Sequence, residues 1–228
     1  MGKQGVMLEL QDPKHDRIGT VVPYEERLSR SPRWALLEGS MHFDKTNQVF
    51  HTLQRITTKL NEIGVPYALV GGLAMFHHGY RRFTEDVDLL VSRAGLKIIH
   101  EQLEGLGYVP PFTGSKHLRD VETGVKVEFL VEGDYPGDGK PKPVSFPDPQ
   151  SVGVEIDGVR CLNLAKLVEL KLASGTAPNR LKDLADVQEM IRILRLPADF
   201  EGQVDPWVRG SYRRLWEQVH SAPPDSEG

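Results

Sequence analysis

The stretch "LVGGLAMFHHGYRRFTEDVDLLV", residues 69–91, decides how the rest of the chain is read. It leaves an apolar run, turns at Gly71 and Gly72, and closes on "EDVDLLV", which alternates as a strand does. Asp86, Asp88 and Leu90 share one face of that strand, and Val87, Leu89 and Val91 share the other. Strands disfavour Asp, and a carboxylate drawn toward a core needs a partner. Further on, "VKVEFLV" (125–131) repeats the arrangement, with Val125, Val127, Phe129 and Val131 on one face and Lys126, Glu128 and Leu130 on the other. If the two strands are neighbours with their apolar faces buried together, Asp86, Asp88 and Glu128 converge on one surface.

Converging carboxylates repel, and at least one has its pKa raised. A bound cation removes the conflict. Carboxylate oxygens suit hard ions such as Mg²⁺, which takes one or two protein carboxylates plus substrate phosphates. The competing reading of a lone D-x-D is a sheet edge with solvated acids; Glu128, in matching phase on a second strand, favours metal. Gly71 and Gly72 follow the strand "YALV" and open a helix. Such a turn lets backbone N–H groups approach a phosphate at the positive end of the helix dipole, or it is simply a tight turn.

Around this stretch the chain reads as a compact α/β domain. Val49, Phe50, Leu53, Ile56, Leu60 and Ile63 follow helical spacing and stop at Gly64. "VPYALV" is a strand, "GGLAMFHHG" a short helix, and "LKIIHEQLEGLG" a helix closed by glycine. "YPGDGKPKPVSFPDP" is a loop. "VGVEIDGVRCL" is a hairpin turning at Asp157-Gly158. The helices "NLAKLVELKLAS" and "RLKDLADVQEMIRIL" follow, and a last one runs over Trp207–His220. Four segments are expected: an N-terminal arm at 1–40 with one short helix near Glu25–Leu37, a core at 41–162, a helical part at 163–220 and a disordered tail at 221–228.

The 228 residues allow one domain with extensions. A net charge of −4 gives no global case for nucleic acid or a membrane surface. Cys161 is the sole cysteine, so no intrachain disulfide forms. No apolar run is long enough for a membrane span, and no basic-then-apolar leader is visible. A cytoplasmic protein is expected.

Strand, Gly-Gly, short helix, R-x-T-x-D-h-D on a strand, then h-E-h on a later strand: this order resembles the nucleotidyltransferase superfamily related to DNA polymerase β. It looks like the minimal, antibiotic-type and AbiEii-like toxin enzymes. "VRCLNLAKLVELKLASGTAPNRLKDLADVQEM" (159–190) is similar to the region after the third carboxylate of the AbiEii-like group. The resemblance spans about residues 45–195. It implies an α/β (α+β) nucleotidyltransferase fold, a small mixed sheet flanked by helices with a helical C-terminal part. It implies transfer of NMP from an NTP to an acceptor with loss of pyrophosphate, dependent on Mg²⁺ or Mn²⁺.

By the same resemblance Asp86 and Asp88 hold metal. Glu128, Glu where many relatives have Asp, completes the metal site or acts as general base. Gly71 and Gly72 cradle the nucleotide, and Arg82, Thr84, Lys171 and Lys182 serve it. Plainer roles stand beside these. Arg82 pairs with Glu85, Thr84 packs, Lys171 snorkels beside its helix stripe, and Lys182 pairs with Asp186 at i,i+4. His77 and His78 diverge by about 100° on a helix and cannot easily share an ion. Trp207, Tyr212 and Trp216 read as packing residues.

The implied acceptors are RNA such as a tRNA end, a small hydroxylated molecule, or a protein side chain, and the toxin resemblance implies an antitoxin-like partner. Arg81, Arg82, Lys116, Arg119 and Lys126 are the candidates for a local basic patch. The rival function is a non-catalytic module of this fold that binds a nucleotide or a protein.

Overall fold

Residues 21–221 are described in a computed structural model. Their centre is a parallel pair of six-residue strands, β2 (Asp86–Val91) and β5 (Lys126–Val131). The pair is in register along its whole length, Asp86 facing Lys126 and Asp88 facing Glu128. Val87, Leu89, Leu90, Val91, Val127, Phe129 and Val131 are buried. Burying such a side chain stabilises by roughly 1.5–3 kcal/mol, so this pair anchors the core, and its other face takes what the core cannot.

Five further strands extend the sheet. β1 (Tyr67–Leu69) lies antiparallel to β2; β3 (Tyr108–Val109) and β4 (His117–Asp120) build out from β5; β6 (Gly153–Ile156) and β7 (Val159–Leu162) build out beyond β1. The order β3-β4-β5-β2-β1-β7-β6 makes a seven-stranded mixed sheet. This is the expected mixed sheet flanked by helices, with two strands, β3 and β4, that carry no local signal: two and four residues, with polar "HLRD" in the second, show too little alternation to register. Asp157 and Gly158 both have positive φ, 52° and 75°, the backbone a two-residue hairpin between right-twisted strands requires.

Helices α1 (Tyr24–Arg30), α2 (Pro32–Phe43), α3 (Gln48–Glu62), α4 (Gly71–His77), α5 (Arg93–Leu103) and the short α6 (Pro149–Val152) flank the sheet. The helix α3 buries Val49, Phe50, Leu53, Ile56 and Leu60 along one stripe and rests on β2, as α5 rests on β5. Helices α7 (Leu164–Ser174), α8 (Leu181–Leu194) and α9 (Pro206–Ser221) pack on one another at the C-terminal end. Between α8 and α9 lies a 3₁₀ turn, Ala198–Gln203; its Phe200 stacks on Tyr212. Tyr212 is buried and Trp216 donates to the Leu196 carbonyl, so these two pack as expected, whereas Trp207, expected to pack with them, is exposed at the start of α9.

The single helix expected near Glu25–Leu37 is two. Pro32 cannot continue α1, and Ser31 caps α2 by accepting from the Trp34 N–H. Both helices are fastened to the core. Tyr24 is fully buried, its hydroxyl donates to Glu38 at 2.9 Å, and its ring meets Trp34 edge-on. The Tyr24 N–H donates to the Gly124 carbonyl ahead of β5. Residues 1–20 of the expected arm, and the expected tail beyond Ser221, lie outside the described residues.

Tyr24→Ala removes a buried ring and a hydroxyl bond, and it should destabilise the protein by about 3–5 kcal/mol, as for other large aromatic truncations in cores. Urea unfolding followed by circular dichroism checks this; a loss under about 1 kcal/mol would mean that α1 and α2 are not part of the cooperative core.

Candidate active site

Asp86, Asp88 and Glu128 stand half-buried on one face of the β2–β5 pair, with one carboxylate oxygen from each within 4.8 Å of the others. The in-register parallel pairing puts Asp88 beside Glu128 directly. Burial first, then the charges of Asp86 and Glu128, push the Asp88 carboxyl up to about 7. Opposite ligands of a Mg²⁺ ion lie about 4 Å apart at its ligand distance of 2.0–2.1 Å. The 4.8 Å bound lies a little above that span, so small side-chain shifts would bring all three oxygens onto one such ion, and hard oxygen donors are the type it takes.

The two glycines explain how the acids come so close to the strand-to-helix turn. The Val70 N–H donates to the Asp88 carbonyl at 2.9 Å, which pins the turn against β2. Gly71 has φ +61°, and a Cβ there would lie 1.8 Å from Asp88 Oδ2. Gly72 is buried, and a Cβ there would fall 2.8 Å from the Thr84 Cβ. Thr84 in turn donates to Asp86 Oδ1 at 2.9 Å. Each glycine thus clears space for the support of one aspartate. Only Gly71 reaches the cleft wall; Gly72 lies behind it.

The cations are distributed in two sets. Lys126 Nζ donates to Glu128 Oε2 at 2.7 Å and lies 3.5 Å from Asp86 Oδ2. Burial works against its charge, but the Glu128 hydrogen bond and the charges of Glu128, Asp86 and Asp88 outweigh it and hold its pKa above the ordinary lysine value. The second set joins α7 and α8 to the approach to β2. Lys171 Nζ donates to Asp183 Oδ1 and Asp186 Oδ2, both at 2.7 Å. Arg82 pairs with Asp186 at 3.1 Å, and Arg180 with Asp183 at 2.7 Å. Both aspartates are buried. Burial alone would raise the Asp183 carboxyl; Lys171, Ser174 and Arg180 pull it below its ordinary value.

A cleft of about 800 Å³ opens over the carboxylates. Gly71, Asp86, Asp88, Lys126 and Glu128 form one side, Lys171, Arg180 and Lys182 another, and Tyr135, Pro141 and Phe146 supply apolar wall. Gly71, the three carboxylates, Lys171 and Lys182 therefore line one cleft. Arg82 and Thr84 do not line it. Arg82 is engaged with Asp186 rather than Glu85, and Thr84 supports Asp86 from behind. Lys182 is exposed and makes no ion pair among the described residues; Asp186, its i,i+4 neighbour, is taken by Lys171 and Arg82.

The candidate basic patch is corrected by the structure, because most of its charges meet an acid. Arg82 holds Asp186, Lys116 holds Asp134, Arg119 holds Glu25 and Lys126 holds Glu128. The bond from Lys126 to Glu128 is absent from the sequence reading, although their i,i+2 spacing on one strand face was available as a signal. His77 and His78 share nothing. His78 Nε2 meets the Leu162 carbonyl, and His77 is buried with Nδ1 3.6 Å from Asp157.

No protein-family model matches the chain, and no curated protein does. Among solved structures it is similar to ANT(2″)-Ia in complex with adenylyl-2″-tobramycin, with 16% identity, 73% of this chain and 97% of that one covered, and a TM-score of 0.47. The solution structure of the antibiotic-resistance factor ANT(2″)-Ia gives 15% identity, 74% and 92% coverage, and 0.46. An antigenic nucleotidyltransferase-like protein from Paracoccidioides brasiliensis gives 18% identity, 62% and 74% coverage, and 0.43. These structural neighbours are nucleotidyltransferases or nucleotidyltransferase-like. Among the described residues no helix is long and apolar enough to cross a membrane.

The Asp88 carboxyl gives a pH-dependent prediction. An unfolded Asp titrates near 3.9, so with a folded value of about 7 the native state holds the extra proton between those limits. Without metal, stability should fall as pH rises through that window. Asp88→Asn removes the buried charge. In EDTA at pH 8 it should be more stable than the parent by about 1–3 kcal/mol, after discounting for solvent at the site, and the gain should vanish near pH 4. Thermal unfolding at both pH values checks this. A destabilised Asp88→Asn at pH 8 would contradict the crowding of charge described here.

Proposed function

We propose that this protein is a metal-dependent nucleotidyltransferase that moves NMP from an NTP to a hydroxyl or phosphate acceptor and releases pyrophosphate. The observation that carries it is the convergence of Asp86, Asp88 and Glu128, from two paired strands, on the floor of a cleft whose far wall bears Lys171, Arg180 and Lys182. Three acids facing three cations across an open cleft suit a polyanion accompanied by a divalent ion. We take 41–162 as the transferase core and 163–220 as the helical part that closes the cleft.

Asp86, Asp88 and Glu128 would hold Mg²⁺ or Mn²⁺, which supplies charge neutralisation on the triphosphate when bound. Gly71 leaves room for the Asp88 carboxylate against the turn and lines the cleft in which a phosphate would lie. Lys182, exposed and without an ion pair among the described residues, and Lys171, fixed by two aspartates, face the same space. Gly72, Thr84 and Arg82 act from behind by holding the turn, Asp86 and Asp186. The acceptor oxygen forms a bond to the α-phosphorus as the α–β bridging P–O bond breaks. Glu128 takes the acceptor proton, and pyrophosphate carries off the electron pair. Positioning and charge neutralisation supply most of the rate.

The acceptor class is RNA or tRNA, a small hydroxylated molecule, or a protein side chain. The pairing of Lys116, Arg119 and Lys126 with acids leaves little free positive surface for a long RNA footprint. A toxin-like role with an antitoxin-like partner follows from the motif resemblance, and a cytoplasmic location from the lone Cys161.

Incubation with each labelled NTP, Mg²⁺ or Mn²⁺, and total cellular RNA or a panel of hydroxylated small molecules tests the reading by label transfer. Glu128→Gln should lower the transfer rate by about 10²–10⁴-fold and weaken metal-assisted NTP binding by a much smaller factor. NTP binding that is equal in EDTA and in Mg²⁺, with no transfer to any acceptor, would favour the non-catalytic module instead.

A further inference from the structure

Lys126 stands where a cation would compete with it. It faces Asp86 across the β2–β5 pair and precedes Glu128 by two residues on the same strand face. Its Nζ bonds Glu128 Oε2 at 2.7 Å and lies 3.5 Å from Asp86 Oδ2, with only 29% of the side chain exposed. A lysine on a sheet surface ordinarily keeps its ammonium in water. Here it is drawn among three carboxylates. His117 on β4, the opposite neighbour of Glu128, supplies no second positive charge. Burial first, then Lys126, lower its pKa, so it is neutral at neutral pH.

We propose that Lys126 is a resident counter-cation of the carboxylate cluster, and that a divalent ion takes Glu128 Oε2 and Asp86 Oδ2 by displacing its ammonium. This rests on the metal reading above and adds a regulation of that site. Two cations cannot share one carboxylate oxygen at ligand distance without strong repulsion. The flexible four-carbon stem lets Lys126 turn away without any movement of the strand. Because Lys126 also lines the cleft, the freed ammonium stays within the space proposed for substrate phosphates. Cation loading at Glu128 and arrival of a polyanion therefore assist each other. The cation alone is held weakly, and the site fills when metal and triphosphate come together.

Mn²⁺ binding without nucleotide, followed by electron paramagnetic resonance, tests this on the full chain. Lys126→Met should bind Mn²⁺ at least about tenfold more tightly than the parent, a difference of about 1.4 kcal/mol. The gain should disappear when Glu128→Gln is added. Lys126→Arg, which keeps the charge, should stay near the parent. Lys116→Met removes a cleft cation that bonds Asp134 instead, and it should shift affinity by less than about threefold by general charge alone. In EDTA at pH 8 Lys126→Met should melt lower than the parent, and Mn²⁺ should raise its melting temperature by more. Lys126→Gln serves if the Met variant does not fold.

Equal effects of Lys126→Met and Lys116→Met would overturn the proposal, as would a gain that survives in the Glu128→Gln background. In either case a parent protein that binds Mn²⁺ through Asp88 would leave the metal reading standing. A folded parent and a folded Lys126→Met that both fail to bind Mn²⁺ would overturn the metal reading and this inference with it.

Discussion

The in-register parallel pairing of β2 with β5 is the constraint on which the rest of the molecule depends. Six consecutive residue pairs lock Val87, Leu89 and Val91 against Val127, Phe129 and Val131 on the buried face. Because side chains alternate strictly, the same register delivers Asp86, Asp88, Lys126 and Glu128 to the opposite face. A slip of one residue would put the acids into the core and the apolar residues into the cleft. The hydrophobic face thus enforces a concentration of charge that it could not itself tolerate, and the strain appears in the raised Asp88 pKa.

The surrounding structure is arranged to hold that charge. Gly71 makes room for the Asp88 carboxylate, and Thr84, packed on Gly72, donates to Asp86. Farther out, Asp183 and Asp186 fix Lys171 at the opposite wall and tie Arg82, just ahead of β2, to α8. A buried ion network of this kind adds little net stability, since desolvation offsets much of the attraction. Its evident consequence is positional. It ties the approach to β2 to α7 and α8, the helices that bring Lys171 and Lys182 to the cleft.

The N-terminal helices have a similar part on the other side of β5. Tyr24 and Arg27 bond the carbonyls of Gly124 and Thr123, the turn that leads into the strand. The position of Lys126 and Glu128 is therefore braced by a segment about a hundred residues earlier in the chain. Nothing in the composition of residues 21–43 announces this. Tyr24 is buried with its N–H on that turn, and Trp34 is buried edge-on to Tyr24 with the Arg27 guanidinium over its ring.

The sequence by itself determined the elements whose patterning is local. Alternation in "EDVDLLV" and "VKVEFLV", the glycine pair, the stripe of α3 and the Asp157-Gly158 hairpin each follow from side-chain periodicity or from backbone positions that only certain residues tolerate. From these, the meeting of Asp86, Asp88 and Glu128 on one surface could be inferred before any coordinates, given that the strands were neighbours. That neighbourhood, and everything built on long-range choice of partner, was decided by the tertiary structure. Arg82 has Glu85 three residues away and bonds Asp186 instead; Lys182 has Asp186 one turn along and finds it already taken. Lys126 turns to Glu128 and Asp86 because the β2–β5 register leaves an excess of negative charge there. Periodicity tells which face a side chain occupies. Which opposite charge it meets on that face depends on burial and distance summed over the whole fold, and no local pattern contains that sum.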